Sequence, residues 1–296
     1  MSIDDQTFKQ YQMRMLDIMC EIRRICEKHD IKYFLAYGTL LGAIRHEGFI
    51  PWDYDADIEM LREDYEKFIT ICAFELNDKY FLSTLITDKN AISPHARLCL
   101  NNTKVVFALF QNNIEKGHQG IFVDIFPIDI VPALRKEQKR HMNNNLFLRS
   151  IWLLKINPIY TKNLASSNTK ARILLQLKNV AKSIARLILL PLPMNSVLKC
   201  MNRNAAKHRK SRSPYRAYVM SASPYINRVF DERLFYTEST IVYFENEPFT
   251  VTSRYEEYLT VFYRNYMEIP SKQEQEISRN CITEVVFSVD ETSKRI

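Results

Sequence analysis

The sequence predicts a protein of the α+β or α/β class, and three observations carry that expectation. Over residues 1–132, short apolar runs of strand length alternate with stretches of helical periodicity. Residues 133–216 then read as mainly helical, and mixed strand-like and helical runs resume from Tyr215. The 296 residues, 46% apolar and 25% charged, suffice for one large domain or two small ones, and exclude a disordered or fibrous chain.

Taken in order, residues 8–29 carry Tyr11, Met15, Ile18, Met19, Ile22, Ile25 and Cys26 at helical spacing, which predicts an amphipathic helix. The compact apolar run at 33–37 suits a buried strand. Gly38-Thr39 breaks it, and a short helix follows over 40–45. The turn around Gly48 leads to Trp52, Ile58 and Met60, which read as strand residues entering a core. Residues 62–76 are helical, with Tyr65, Phe68, Ile69, Cys72 and Leu76 on one side. Strand-like runs follow at 80–86, 96–100, 104–109 and 121–126. Helix dominates from Pro132 to about residue 210. A strand is expected at 240–244 and a helix over 253–266. No internal repeat is apparent.

Charge is divided sharply along this order. Residues 133–216 hold 19 Lys and Arg against one acid, Glu137, while the rest of the chain holds 22 basic and 33 acidic side chains. A basic block on an acidic body points to an anionic surface partner. Within the block, Ile173, Leu174, Leu177, Val180, Ile184, Leu187 and Ile188 recur at helical spacing, with Lys178, Lys182 and Arg186 on another face. Such a helix can lie in an anionic membrane interface or cover its own domain, the commoner arrangement. Aromatics are not interleaved with the basic residues, which makes nucleic acid the weaker partner.

The first residues lack a basic, apolar leader, and the uncharged stretch 187–198 is too short to span a bilayer and is broken by Pro191 and Pro193. The expected location is cytoplasmic, with peripheral contact at the inner face of the membrane. Six scattered cysteines without a CxxC pair read as free thiols.

The five glycines all lie between residues 38 and 120, where the backbone is expected to need unusual dihedrals or close approach. Asp53, Asp55 and Asp57 alternate in the same region. On an extended strand Asp55 and Asp57 would project side by side, about 7 Å apart at Cα. Two carboxylates so placed repel, and a hard cation such as Mg²⁺ or Mn²⁺ relieves them. An EF-hand loop would need Gly where Ile58 stands. Asp124 is a lone charge in an apolar run, either a satisfied structural Asp or a third ligand. Asp129, nearer the following loop, reads as structural. Gly38-Thr39, between strand and helix, offers N–H groups and a hydroxyl to phosphate.

Gly-Thr followed about 15 residues later by D-x-D resembles the nucleotidyltransferase fold. The whole stretch YFLAYGTLLGAIRHEGFIPWDYDADI (33–58) resembles the LicD family, relatives of fukutin and fukutin-related protein. VDIFPID (123–129) continues the match, and FENEPFTV (244–251), YEEYL (255–259) and YMEIP (266–270) extend it more weakly. Departures are Tyr54 and Ala56 inside the acidic motif, Arg264 where the pattern commonly has Gly, and a missing His in the 278–280 region.

The resemblance implies an α+β, nucleotidyltransferase-like mixed sheet core with flanking helices and an added basic helical segment. Residues 1–132 would form the catalytic core, 133–216 a basic helical insertion, and 217–296 the part completing the catalytic domain. It implies metal-dependent transfer of a phosphorylated alcohol, phosphocholine first among candidates, from CDP-choline or another CDP-alcohol to a cell-surface glycan or glycolipid, releasing CMP. Asp55, Asp57 and Asp124 would be the catalytic residues, holding Mg²⁺ or Mn²⁺, and Asp124 would also help activate the acceptor hydroxyl. Gly38 and Thr39 would bind the donor phosphates, and Arg45, His46 and Arg97 would add positive charge there. A D-x-D glycosyltransferase using a nucleotide-sugar is the alternative enzyme, and a membrane-surface scaffold the non-enzymatic one.

Overall fold

The computed structural model describes residues 3–107, 117–156, 169–220, 228–236 and 238–288. Helix α1 (Asp5–Lys28) starts at Asp4, whose carboxylate accepts the Thr7 N–H. Its predicted apolar stripe is buried, with Tyr11, Met15, Ile18, Met19, Ile22 and Ile25 fully enclosed. Each such side chain contributes about 1.5–3 kcal/mol of burial. The stripe packs on the central sheet and on α3.

That sheet is built from β1 (Phe34–Leu35), β2 (Asp57–Leu61), β3 (Tyr80–Ser83), β4 (Ala96–Leu100) and β6 (Phe122–Val131), in the order β1-β2-β6-β4-β3. It is mixed: β2 and β6 run parallel, and the other neighbours are antiparallel. Helices α2 (Tyr37–His46) and α3 (Arg62–Glu75) flank β2 in sequence. Strand β6 is ten residues long, so its far half pairs with β7 (Tyr215–Ala217), which pairs with β8 (Phe230–Asp231). Two ribbons lie beside the sheet, β5 (Lys104–Phe107) with β11 (Ile282–Val286), and β9 (Ser239–Phe244) with β10 (Glu247–Thr252). Helices α7 (Arg233–Tyr236), α8 (Tyr255–Tyr263) and α9 (Lys272–Arg279) complete the C-terminal part. Phe244, Phe249, Val251, Tyr258, Leu259, Phe262 and Ile282 share one core with the N-terminal elements.

The basic segment forms α4 (Arg135–Ile156), α5 (Thr169–Leu189) and α6 (Met194–Ala205). Helices α4 and α6 close a small core of Trp152, Val197, Leu198 and Met201. The Trp152 indole N–H donates to Ile92 O at 2.7 Å. A second tie is buried: the Arg62 guanidinium donates to both Asp129 oxygens, 2.7 and 3.0 Å, and to Asn202 of α6 at 3.0 Å. Asp129 is therefore structural, as expected, and lies two residues before the end of β6.

Several expectations need correction. The strand expected over 33–37 is only Phe34–Leu35, because Tyr37 adopts φ +45° and opens α2. Trp52 is half-buried in the turn before β2 rather than in a strand. The strand-like run 104–109 is observed to Phe107, and 108–109 lie outside the described residues, as do 157–168 of the helical block. Arg264 ends α8 at φ +58°, ψ −102°, backbone that glycine adopts without strain. That is where the resembled pattern carries Gly. The glycines answer to close approach and not to dihedrals, since none has positive φ. A Cβ on Gly42 would lie 2.5 Å from Gly48 O, so this pair seats α2 on the following loop.

Candidate active site

The site forms where β2 leaves the loop 50–56 beside the start of α2. Asp57 and Asp124 are register partners on the parallel strands β2 and β6, both buried. Asp55 does not share the strand: β2 begins at Asp57, and Asp53 and Asp55 ride on the preceding loop, half-buried. The side-by-side strand geometry expected for Asp55 and Asp57 is thereby corrected. The alternation is real, but the first two members are held by tertiary contacts.

Those contacts come from α1. The buried Gln12 amide donates to Ile50 O at 3.1 Å and Asp53 O at 3.0 Å, and the Tyr11 hydroxyl donates to Tyr54 O at 2.8 Å. From the other side, the Asp57 N–H donates to the Thr39 hydroxyl at 2.8 Å, and the Ala36 N–H to Asp57 O at 3.1 Å. Thr39 thus fixes the start of β2 to the first turn of α2. Ala36, at the cap position, offers that turn no side-chain acceptor, and the Tyr37 N–H donates to the Tyr258 hydroxyl at 3.4 Å instead. Gly38 faces Asp53 so closely that a Cβ there would lie 2.4 Å from the carboxylate Oδ2.

Burial and crowding set the electrostatics. Burial, then Asp53 and Asp57, push Asp55 well above the usual carboxylate range. Burial, then Asp124 and Asp53, do the same to Asp57, against a lowering by Arg97. Asp53 is raised by burial as well. Asp124 behaves in the opposite way. Burial works to raise it, but Arg97 and His95 prevail and hold it at about 2. Arg97 Nε and His95 Nε2 both reach its Oδ1, at 2.8 and 2.9 Å. The Arg97 guanidinium also stacks on Phe122, 4.1 Å from the ring centre.

The structure therefore brings Gly38, Thr39, Asp55, Asp57, Arg97 and Asp124 together. Arg45 and His46 lie in the last turn of α2, about 10 Å along the helix from Gly38, with Arg45 near enough to act against the raised pKa of Asp53. Arg45 donates to Tyr266 O at 2.8 Å and Glu268 O at 2.9 Å, and His46 packs edge-on against Trp52. Sequence reasoning did not single out Gln12, His95 or the role of Asp53. It also missed Glu59, wholly buried behind the site, whose Oε2 accepts both the Tyr218 and Tyr258 hydroxyls. Burial pushes Glu59 up to about 8 against those two hydrogen bonds. An acidic residue in an otherwise apolar strand was its one local signal.

The donor set suits a hard divalent cation: several carboxylate oxygens, crowded enough to hold protons when nothing else neutralises them. Among the described residues no group of three or more His, Cys, Asp or Glu side chains is placed to hold a metal ion by itself. Mg²⁺ seldom needs such a group, since it binds through one or two carboxylates together with substrate phosphates.

Carboxylates on parallel neighbouring strands, beside a Gly-Thr strand-to-helix turn, are the arrangement of a nucleotidyltransferase domain. Residues 30–155 match the family model described as LicD/FKTN/FKRP, nucleotidyltransferase domain. The similarity to that family lies in this N-terminal domain, and a relative matched along nearly the whole chain extends it. The chain is 28% identical over 286 residues to the lipopolysaccharide cholinephosphotransferase LicD of Haemophilus influenzae, covering 91% of this chain and 94% of that one. A 40-residue stretch is 48% identical to the human ribitol 5-phosphate transferase FKRP, covering 14% of this chain and 8% of that one. An uncharacterized protein of Rickettsia prowazekii, RP689, is 36% identical over 69 residues, 21% of this chain and 26% of that protein.

Proposed function

We propose that this protein transfers a phosphorylated alcohol, phosphocholine first among candidates, from a CDP-activated donor to a glycan or glycolipid acceptor, lipopolysaccharide by analogy with the relative. The carrying observation is the carboxylate cluster lying directly against the first turn of α2. In the reaction the acceptor oxygen forms a bond to the phosphorus bearing the alcohol. The bond from that phosphorus to the bridging oxygen breaks, and CMP leaves.

Asp55 and Asp57, with Asp124 on the adjacent strand, would hold Mg²⁺ or Mn²⁺. The ion would polarise the phosphoryl oxygens and offset their charge. The Gly38 N–H at the start of α2 would face the donor phosphates, since the Tyr37 N–H goes to the Tyr258 hydroxyl and the Thr39 N–H to Ala36 O; the absent side chain of Gly38 makes room for the Asp53 carboxylate beside it. Thr39 holds Asp57 through its backbone N–H. Asp124, ionised down to about pH 2, is a fixed anion and a poor proton acceptor. Asp55, raised by burial and then by Asp53 and Asp57, and Asp57, raised by burial and then by Asp124 and Asp53, bind protons more readily. Arg97 is spent first on Asp124, so its contribution to phosphate is through the pair. The six cysteines are free thiols, in keeping with a reducing cytoplasmic setting.

The test is a thermal-shift and nucleotide-release panel of CDP-choline, CDP-ribitol, CDP-glycerol, CDP-ethanolamine, UDP-glucose and GDP-mannose, each with Mg²⁺, Mn²⁺ or EDTA. A metal-dependent shift and CMP release with one CDP-alcohol are expected. UDP or GDP release would instead establish a glycosyltransferase, and silence across the panel would overturn both.

A further inference from the structure

The apolar stripe on α5 faces away from the protein. Leu177, Val180, Ile184, Leu187 and Ile188 are each between 53% and 73% exposed. At 100° per residue they fall within an arc of about 100°. Of the two arrangements open to this helix, covering its own domain is the one the exposed stripe does not fit. The side turned toward the protein is mostly polar: Asn179, Ser183 and Arg186 are half-buried there beside Ala185 and Leu189, and the Ser183 hydroxyl is spent on Asn179 O at 3.0 Å. Lys155 of α4 anchors the end of α5 by donating to Leu189 O at 2.8 Å. The side chains of Ile173 and Leu174 lie outside the described residues.

The neighbouring helix shows the opposite behaviour. Val197, Leu198 and Met201 of α6 are fully spent on Trp152. Leu190 and Leu192, in the turn that bends the chain by 93° between the two helices, are exposed again. Among the described residues no single helix is long and apolar enough to cross a membrane. A 21-residue helix with one aliphatic face and Lys178 and Lys182 on another has the makeup of one that lies in an interface.

We propose that α5 docks this protein onto an anionic lipid surface, with its aliphatic face entering the headgroup–acyl boundary. Charge complementarity selects the occupant. The surrounding segment carries 19 basic residues and one acid, so a second copy of the chain would set two strongly positive blocks against each other. An anionic membrane attracts that block, at about 1 kcal/mol per basic residue near the surface. Nucleic acid would use the charge but leave the aliphatic face in water. The proposal stands apart from the transfer reaction, so failure of one leaves the other intact.

The full chain is tested by flotation with phosphatidylcholine vesicles, with or without 30% phosphatidylglycerol. Binding to the anionic vesicles is expected to exceed binding to the neutral ones at least tenfold and to weaken with salt. The triple variant Leu177→Glu, Ile184→Glu, Ile188→Glu is expected to lose it at least tenfold while keeping the wild-type circular dichroism and melting temperature. Lys178→Glu with Lys182→Glu, which spares the aliphatic face, is expected to weaken anionic binding alone. Unchanged binding by the triple variant overturns the proposal, as does wild-type protein that ignores anionic vesicles. A wild-type dimer that the triple variant returns to monomer also overturns it, and makes a second copy the occupant.

Discussion

The carboxylate cluster and helix α5 are both places where local chemistry opposes local environment, but in opposite senses. At the cluster, Asp53, Asp55 and Asp57 are charged groups crowded where burial penalises charge. On α5, a row of aliphatic side chains stands where water penalises hydrocarbon. Each costs stability in the isolated chain, and each would be relieved by a partner of definite chemistry: a cation with phosphate in one case, lipid in the other. The supports differ as well. The cluster is braced by Gln12, Tyr11 and Thr39, reaching in from separate elements, which holds its geometry closely. Helix α5 is fastened by a lysine to one carbonyl and a polar flank, which holds a surface in place but no atom-scale geometry.

The comparison breaks most sharply at Asp57. Asp57→Asn removes a charge that its neighbours disfavour while leaving the strand intact. We expect CMP release to fall by about a thousandfold, equivalent to several kcal/mol of transition-state stabilisation. The melting temperature without metal should stay level or rise. The triple variant on α5 should give the reverse pattern, losing vesicle binding with turnover on a soluble acceptor unchanged. Assays of both variants for both properties would show whether the two regions act independently. A loss of turnover in the α5 variant would show that they do not.

Arg62 is the structural joint between the regions, since one buried guanidinium serves Asp129 of the sheet and Asn202 of α6. Arg62→Met leaves Asp129 as an unpaired buried charge. The expected cost is about 3–5 kcal/mol, measured by urea unfolding. Adding Asp129→Asn should return most of that loss. If it does not, the tie to α6 carries more of the stability than the ion pair does.

How far these features can be read from the sequence depends on where their partners lie. Asp55, Asp57 and Asp124 are legible because each stands in a local pattern of charge within apolar sequence. Helices α1, α3 and α5 are legible from spacing alone. What spacing cannot tell is which side of a helix finds a partner, so it leaves the apolar face of α5 open between a membrane interface and its own domain. Likewise, D-x-D-x-D imitates strand alternation, although Asp53 and Asp55 are held off the strand by side chains some 40 residues earlier. His95 reaches Asp124 across 29 residues, and Tyr258 reaches Glu59 across 199. Such contacts come from sheet order, which no single-sequence pattern records.

Gly38 tests how closely the bracing sets the cluster. A methyl group there collides with Asp53 Oδ2, so Gly38→Ala should lower turnover by about ten- to a hundredfold through displacement of Asp53. In an Asp53→Ala background the same substitution should do far less, because the colliding atom is gone. The double-mutant cycle isolates that contact. Equal effects in both backgrounds would place the role of Gly38 in phosphate approach alone.

The mildest effect, per unit of pH, is expected from Glu59, and it separates the core from the cluster. Its folded pKa of about 8 lies above the ordinary 4.5, so the native state holds a proton that the unfolded state releases between those values. Stability from this group is thus full below pH 4.5 and is lost as pH rises toward 8, by at most about 1.4 kcal/mol per pH unit. Asp53, Asp55 and Asp57 are raised too, and contribute a slope of the same sign. Two perturbations divide the total. Glu59→Gln keeps the acceptor for the Tyr218 and Tyr258 hydroxyls and removes only the titration of Glu59, so part of the fall in melting temperature between pH 5 and 8 should vanish. Saturating Mg²⁺ should flatten the remaining slope by taking the place of protons on the aspartates, and should bind more weakly as pH drops. If Mg²⁺ instead leaves the Glu59→Gln profile unchanged, the aspartates are neutralised by protons alone, and the cluster is a strained structural feature with no site for a cation.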